Sequence, residues 1–150
     1  MVDEIVKRFA NLVIAGIRAG IGSSGMFNTG KTSESLDYSW DGRELIIYST
    51  FKYIRVLEDG RRPGKWAPPG DIQDWVATKL KITEPKKNKS VAFLVNRSLK
   101  EKGSLLWRRG GHSGILSNYL NAEYIQENLT SKLATSIIDT FIAEFGTNRN

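Results

Sequence analysis

The sequence predicts an α+β fold: a small antiparallel sheet made of one hairpin, packed against N-terminal, central and long C-terminal helices. Three observations predict it. Ile5, Phe9, Leu12, Val13 and Ile17 recur at helical spacing near the start. Leu36, Tyr38 and Trp40 alternate with Asp37 and Ser39 and run into Asp41-Gly42, a hairpin turn signal. From residue 125 onward, Ile125, Leu129, Leu133, Ile137, Phe141 and Phe145 repeat every four residues, the stripe of a long amphipathic helix.

Taken in order, residues 3–19 read as a helix that Asp3 caps. Glycines at 16, 20, 22, 25 and 30 predict a flexible loop over about 20–34, since glycine loses the most backbone entropy on ordering. The hairpin follows, with ELIIYST as the return strand. In 51–59, Tyr53, Ile54 and Leu57 share a short helical face. The stretch GRRPGKWAPPG is a loop by composition. Asp71 then reads as the N-cap of a helix to about Leu80, with Ile72, Trp75, Val76 and Leu80 inward. EPKKNK, 84–89, reads as a polar linker. Ser90 caps a further helix that Gly103 ends, and a second basic, glycine-rich loop, GSLLWRRGGHSG, follows. The last helix runs from about Ala122 to Phe145, with Gly146 as its stop and a disordered tail over about 146–150. Its stripe fits a core-packing helix, and also a helix that packs on a neighbouring subunit. No repeat or composition boundary splits the chain, so 1–150 reads as a single domain.

A chain of 150 residues, 40% hydrophobic, can bury a sizeable core. Its formal charge of +6 favours polyanions or acidic protein surfaces as neighbours. With no cysteine and one histidine, disulfides, thiolate metal sites and a Cys nucleophile are excluded, and a zinc site would have to lean on carboxylates. No metal or other cofactor is expected. No apolar run is long enough to span a membrane, and the acids of MVDEIVKRF do not suit a signal peptide. The expectation is a soluble protein made inside the cell, with no membrane contact.

GMFNTGKT contains Gly25, Gly30, Lys31 and Thr32 at the fixed positions of G-x-x-x-x-G-K-[ST], the phosphate-cradling loop of P-loop NTPases. That chemistry needs a buried strand before the loop and a helix after it, so that backbone N–H groups point at the phosphates. Here the upstream period is helical and the downstream period is strand-like. No apolar strand ends in the Asp that Mg²⁺ requires. The four residues read as a chance match, and Lys31 as a solvated cation. His112, in GGHSG, has no nucleophile elbow near it, and paired catalytic carboxylates cannot be placed. The chain is not expected to be an enzyme.

Two loops carry the remaining signal. One holds Arg61, Arg62, Lys65 and Trp66; the other holds Trp107, Arg108, Arg109 and His112. Arg and Trp suit interface hot spots, and they also suit phosphate contact with base stacking. The alternative is a tryptophan that anchors its loop beneath a solvated charge cluster.

The order of these features resembles the phage tail-completion and head–tail joining (neck) proteins. Those chains run from an N-terminal helix to a TG-x-L-x-x-S element that opens a hairpin. A Y-x-x-x-x-E-x-G-x-x-P stretch, a Pro-rich loop, a helix with an inward Trp, a helix with AF, a glycine-containing loop and a C-terminal helix follow. Here Thr29-Gly30-Lys31 with Ser33 to Leu36 is a loose version of the first element, carrying extra residues. Tyr53 to Pro63 matches the second, Pro68-Pro69 to Trp75 the third, and Ala92-Phe93 the fourth. WRRGGHSG stands where the family has a proline-and-arginine ending. The likeness covers roughly residues 5 to 145. It implies a structural virion component, made in the host cytoplasm, that forms a ring of about six or twelve copies between portal connector and tail. Portal and tail proteins would be its partners, and the basic loops would meet acidic connector surfaces or DNA in the channel. The alternative functions are a basic nucleic-acid-binding or adaptor domain and, last, a P-loop NTPase.

Overall fold

The computed structural model describes residues 1–23, 31–51 and 54–146. The fold is α+β, as the periodicities predict. Helix α1 (Val2–Ser23) is followed by a single helical turn, α2 (Lys31–Glu34), and by strands β1 (Leu36–Trp40) and β2 (Leu45–Ser49). A short α3 (Val56–Asp59), the helices α4 (Pro69–Lys79) and α5 (Pro85–Lys102), and a one-turn α6 (Leu105–Arg108) form the middle of the chain. The last helical segment comprises α7 (Ala122–Ile125), a π turn (Gln126–Thr130) and α8 (Ser131–Phe145).

The core lies along α1. Its buried face is Val6, Phe9, Ala10, Val13, Ile14, Ile17 and Ile21, spaced by three and four residues. This face is rotated from the stripe expected from sequence: Leu12 is exposed and Ile5 only half-buried. Leu36 and Ile115 complete the cluster, and Tyr38, Leu45, Ile47, Tyr119, Tyr124 and Leu129 pack around it. Asp3 sits inside the first turn instead of capping it, and its carboxylate accepts the indole N–H of Trp40 at 2.7 Å.

The predicted loop over 20–34 is largely replaced by helix where it is described. Gly16 and Gly20 both lie within α1, and at Gly16 the neighbouring ring needs the missing side chain. A Cβ at Gly16 would overlap the Tyr119 ring, and one at Gly20 would touch Ile115. Residues 24–30, with Gly25 and Gly30 of the P-loop match, lie outside the described residues, as do Tyr53 and the predicted tail beyond Gly146.

β1 and β2 pair antiparallel, Tyr38 opposite Ile47 and Trp40 opposite Leu45 on the half-buried side. The connection spans 41–44 rather than two residues. Asp41 accepts the backbone N–H groups of Arg43 and Glu44, which closes the wider turn. Arg18 fastens the sheet to α1 by donating to the carbonyls of Ser33 and Leu36.

Helices α4 and α5 pack chiefly on each other, with Val76 and Ala92 buried between them. Both start earlier than expected. Pro69 and Pro85 each occupy the first helical turn, where a missing N–H costs nothing. Glu84 caps α5, accepting from Lys86 and Lys87, so EPKKNK is the helix start and not a linker. Asp71 lies within the first turn of α4, and Trp75 and Leu80 are exposed. Gly103 ends α5 with a φ of 75°.

In the C-terminal helical segment, only the first part serves the core. Tyr124, Ile125 and Leu129 pack against it, but no residue of α8 is buried. The expectation of a core-packing helix to Phe145 therefore fails beyond about Leu133. Ser136 and Thr140 turn toward Met1, and the apolar stripe turns to solvent. No helix of the described residues is long and apolar enough to cross a membrane.

Candidate functional site

The two Trp/Arg loops, separated by some forty residues of sequence, are laced together. Ser104 is the joint. It caps α6 by accepting the Trp107 N–H at 3.3 Å, and the same hydroxyl oxygen accepts the Arg61 N–H at 2.9 Å. Its own N–H donates to the Arg61 carbonyl at 2.9 Å, and Gly64 N–H donates to the Lys100 carbonyl at 2.7 Å. Arg61 is thus held through both backbone groups, as in a two-residue ladder.

Glycine permits this approach. Gly60 and Gly103 both have φ of 75°, a conformation side chains disfavour. A Cβ at Gly60 would meet the Trp107 nitrogen, and one at Gly103 would meet the Arg61 carbonyl oxygen at 2.7 Å.

Glu58 fixes the next turn of the second loop. Its side chain is only 12% exposed. Its carboxylate accepts the Ser117 hydroxyl at 2.6 Å and the Leu116 N–H at 2.8 Å. His112 Nδ1 stands 3.2 Å away, on a ring that is 70% exposed. Ser113 adds a hydroxyl bond to the Leu57 carbonyl and a backbone bond to that of Glu58. Burial pushes the Glu58 pKa up, but the bonds from Ser117 and Leu116 and the charge of His112 outweigh it. The net shift is downward.

One side-chain contact joins the two loops, and cations gather on the first of them. The Arg62 guanidinium lies 5.0 Å from the centroid of the half-buried Trp107 ring. The interaction orients a cation on an aromatic face while leaving its N–H groups outward. Arg55, Arg61, Arg62 and Lys65 share a shallow pocket of about 420 Å³ with Asp59. The predicted second loop contains the turn α6, which Arg108 closes; Arg109 and His112 follow it, and all three are exposed.

Trp66 departs from this group. It is 45% exposed and stacks on Phe93 of α5 with 5.7 Å between ring centroids, beneath the Lys100 ammonium. Its loop is anchored next door, where the buried Asn96 amide pairs with both backbone groups of Ala67 at 2.9 Å. The anchoring role belongs to Ala67, and the Trp66 ring is left for the surface.

Glu58 and Ser104 were missed by sequence reading. Ser104 had a local signal, a serine after Gly103 and ahead of an apolar turn, which marks an N-cap. Glu58 had no local signal, because its partners lie nearly sixty residues away; only its place as the fixed Glu of the Tyr53 to Pro63 stretch singled it out. Lys31 and Thr32 begin α2, so a helical turn stands where the downstream period predicted strand. α2 is only one turn and runs into β1, and the element preceding residues 24–30 is helix α1 and not the strand a phosphate-binding loop leaves. No protein family, curated protein or solved structure matches this chain.

Proposed function

We propose that this chain is a structural component of the neck of a tailed phage, a ring subunit that joins the portal connector to the tail. The observation that carries the reading is the lacing of the two basic loops through Ser104 and Arg61, with the Arg62 guanidinium over the Trp107 ring. Arg61 and Arg62 of the first loop fall within the Tyr53 to Pro63 stretch through which the sequence resembles neck proteins, while WRRGGHSG of the second departs from them. A ring subunit must present surfaces to neighbours above, below and beside it. The basic face suits an acidic connector surface or the DNA that crosses the joint, and the exposed stripe of α8 suits a contact within the ring. On this reading the protein works by assembly, not catalysis, and resides in the virion.

Quantitative mass spectrometry of purified particles, scaled to the major capsid protein, tests it. About six or twelve copies per particle is the expected result. Absence from particles overturns it. Reversing Arg61, Arg62, Arg108 and Arg109 to Glu is expected to block particle assembly while leaving the isolated chain folded. Unimpaired assembly would remove the basic face from the mechanism.

The same face favours a second reading, a nucleic-acid-binding module. It differs in one measurable respect: affinity for duplex DNA must fall steeply with salt, in proportion to the phosphates contacted.

A further inference from the structure

The least explained surface of the molecule is the solvent side of α8. Ile137, Phe141 and Phe145 form one row along it and Ile138 and Ile142 the next, each between 56% and 63% exposed. The charged residues of the helix, Lys132, Asp139 and Glu144, lie instead along the groove beside Met1. Folding has turned Ser136 and Thr140 inward and the apolar rows outward, the reverse of what burial alone would select. Five side chains about three-fifths exposed, at roughly 200 Å² each, offer on the order of 600 Å² of apolar surface. That reaches the upper end of patches on monomers and approaches the ~800 Å² per partner of a specific interface.

A second exposed apolar surface has the opposite electrostatic setting. On α5, Phe93 is 57% exposed and stacks with Trp66 above a groove of about 390 Å³. Lys86, Lys89, Arg97 and Lys100 stand at i−7, i−4, i+4 and i+7 from it, the positions that share its helix face. Across α5 the only acid is Glu101. Across residues 122–145 the balance reverses: Glu123, Glu127, Asp139 and Glu144 face the single cation Lys132.

We infer that the α8 stripe of one copy of this chain docks on the Phe93–Trp66 face of α5 in a second copy. Apolar rows meet an aromatic groove, and the acidic C-terminal segment, four acids against one cation, meets the basic α5, six cations against one acid, so the two segments attract as whole elements. Pairing α8 with itself would bury the same rows but bring like charges together. The contact is heterologous, so each subunit uses both faces, and repetition generates a closed ring where the rotation permits. It rests on the ring reading for that closure only; the pairwise contact is tested without particles.

Sedimentation velocity of the full chain, with two variants, tests the inference. Ile138→Asp/Phe141→Asp disables the stripe, and Phe93→Asp disables the groove. All three positions are exposed, so both variants retain the parent far-UV circular dichroism. The parent chain is expected to gain mass with concentration, each variant alone to remain monomeric, and an equimolar mixture to form a 1:1 dimer and nothing larger. A parent chain still monomeric at roughly 0.5 mM overturns the contact. So does a Phe93→Asp chain that self-associates like the parent, which is the signature of α8 self-pairing. Unchanged association with lost affinity for duplex DNA in Phe93→Asp overturns it as well, and assigns the α5 face to nucleic acid. Absence of the protein from particles would sink the neck reading and leave the mixing result standing.

Discussion

Ser104→Ala is the most direct probe of the frame that unites the two basic loops. The hydroxyl oxygen accepts two backbone N–H groups, from Trp107 in its own loop and from Arg61 in the other. Removing a serine N-cap costs about 1 kcal/mol. Leaving the part-buried Arg61 N–H without its acceptor costs about 1 kcal/mol more, at the low end because water has access to the loop edge. The backbone bond from Ser104 N–H to the Arg61 carbonyl survives, so the loops stay tied and the loss stops near 2 kcal/mol. For a chain of this size that lowers Tm by about 4–8 °C. Thermal unfolding followed by circular dichroism reads the shift. Hydrogen exchange at the Arg61 and Trp107 amides reads its location, since both should lose protection together. Ser104→Thr keeps the acceptor and should restore most of the stability. A Tm within about 1 °C of the parent chain, or exchange faster at only one of the two amides, would refute the joint.

Glu58→Gln tests the second tie. The carboxylate has a depressed pKa in the folded state, so its stabilisation is present above the ordinary glutamate range near ~4.3 and is lost as pH falls through the folded value. The variant should be less stable than the parent at pH 7, and the difference should shrink below pH ~4 in acid titrations of Tm. An equal gap at both pH values would count against it. Gly103→Ala forces a Cβ against the Arg61 carbonyl oxygen at a φ of 75°, and should cost about 1–3 kcal/mol in denaturant unfolding. A neutral result would mean that the loops part without penalty. Lys31→Ala should change stability by less than about 0.5 kcal/mol and leave nucleotide retention at background, because the side chain is exposed at the start of a one-turn helix. Loss of a measurable nucleotide affinity would revive the P-loop.

What the sequence made legible is local. Alternation located the hairpin, and the α1 period located the core helix to within a small rotation of its face. The misreading near Pro69 comes from weighing proline as a breaker, and that near Pro85 from taking a polar run for a linker, where each proline was pre-organised for a first helical turn. The gathering of the basic loops was not legible, because it depends on bonds such as Arg61 to Ser104, and nothing in either segment alone specifies the other. The C-terminal helix shows a deeper limit. A four-residue apolar repeat states that a face will be covered but not by what, since a core and a neighbouring subunit impose the same period. Leu129 and Ile137 belong to one stripe in the sequence and to two environments in the fold, the first packed on the core and the second open to solvent. A strict four-residue repeat advances about 400° per step on a helix of 3.6 residues per turn, so the row rotates by about 40° at each repeat and cannot keep one face to the core. The apolar rows beyond Leu133 are therefore turned away from the chain's own interior, which is the geometric condition for using them on a second copy.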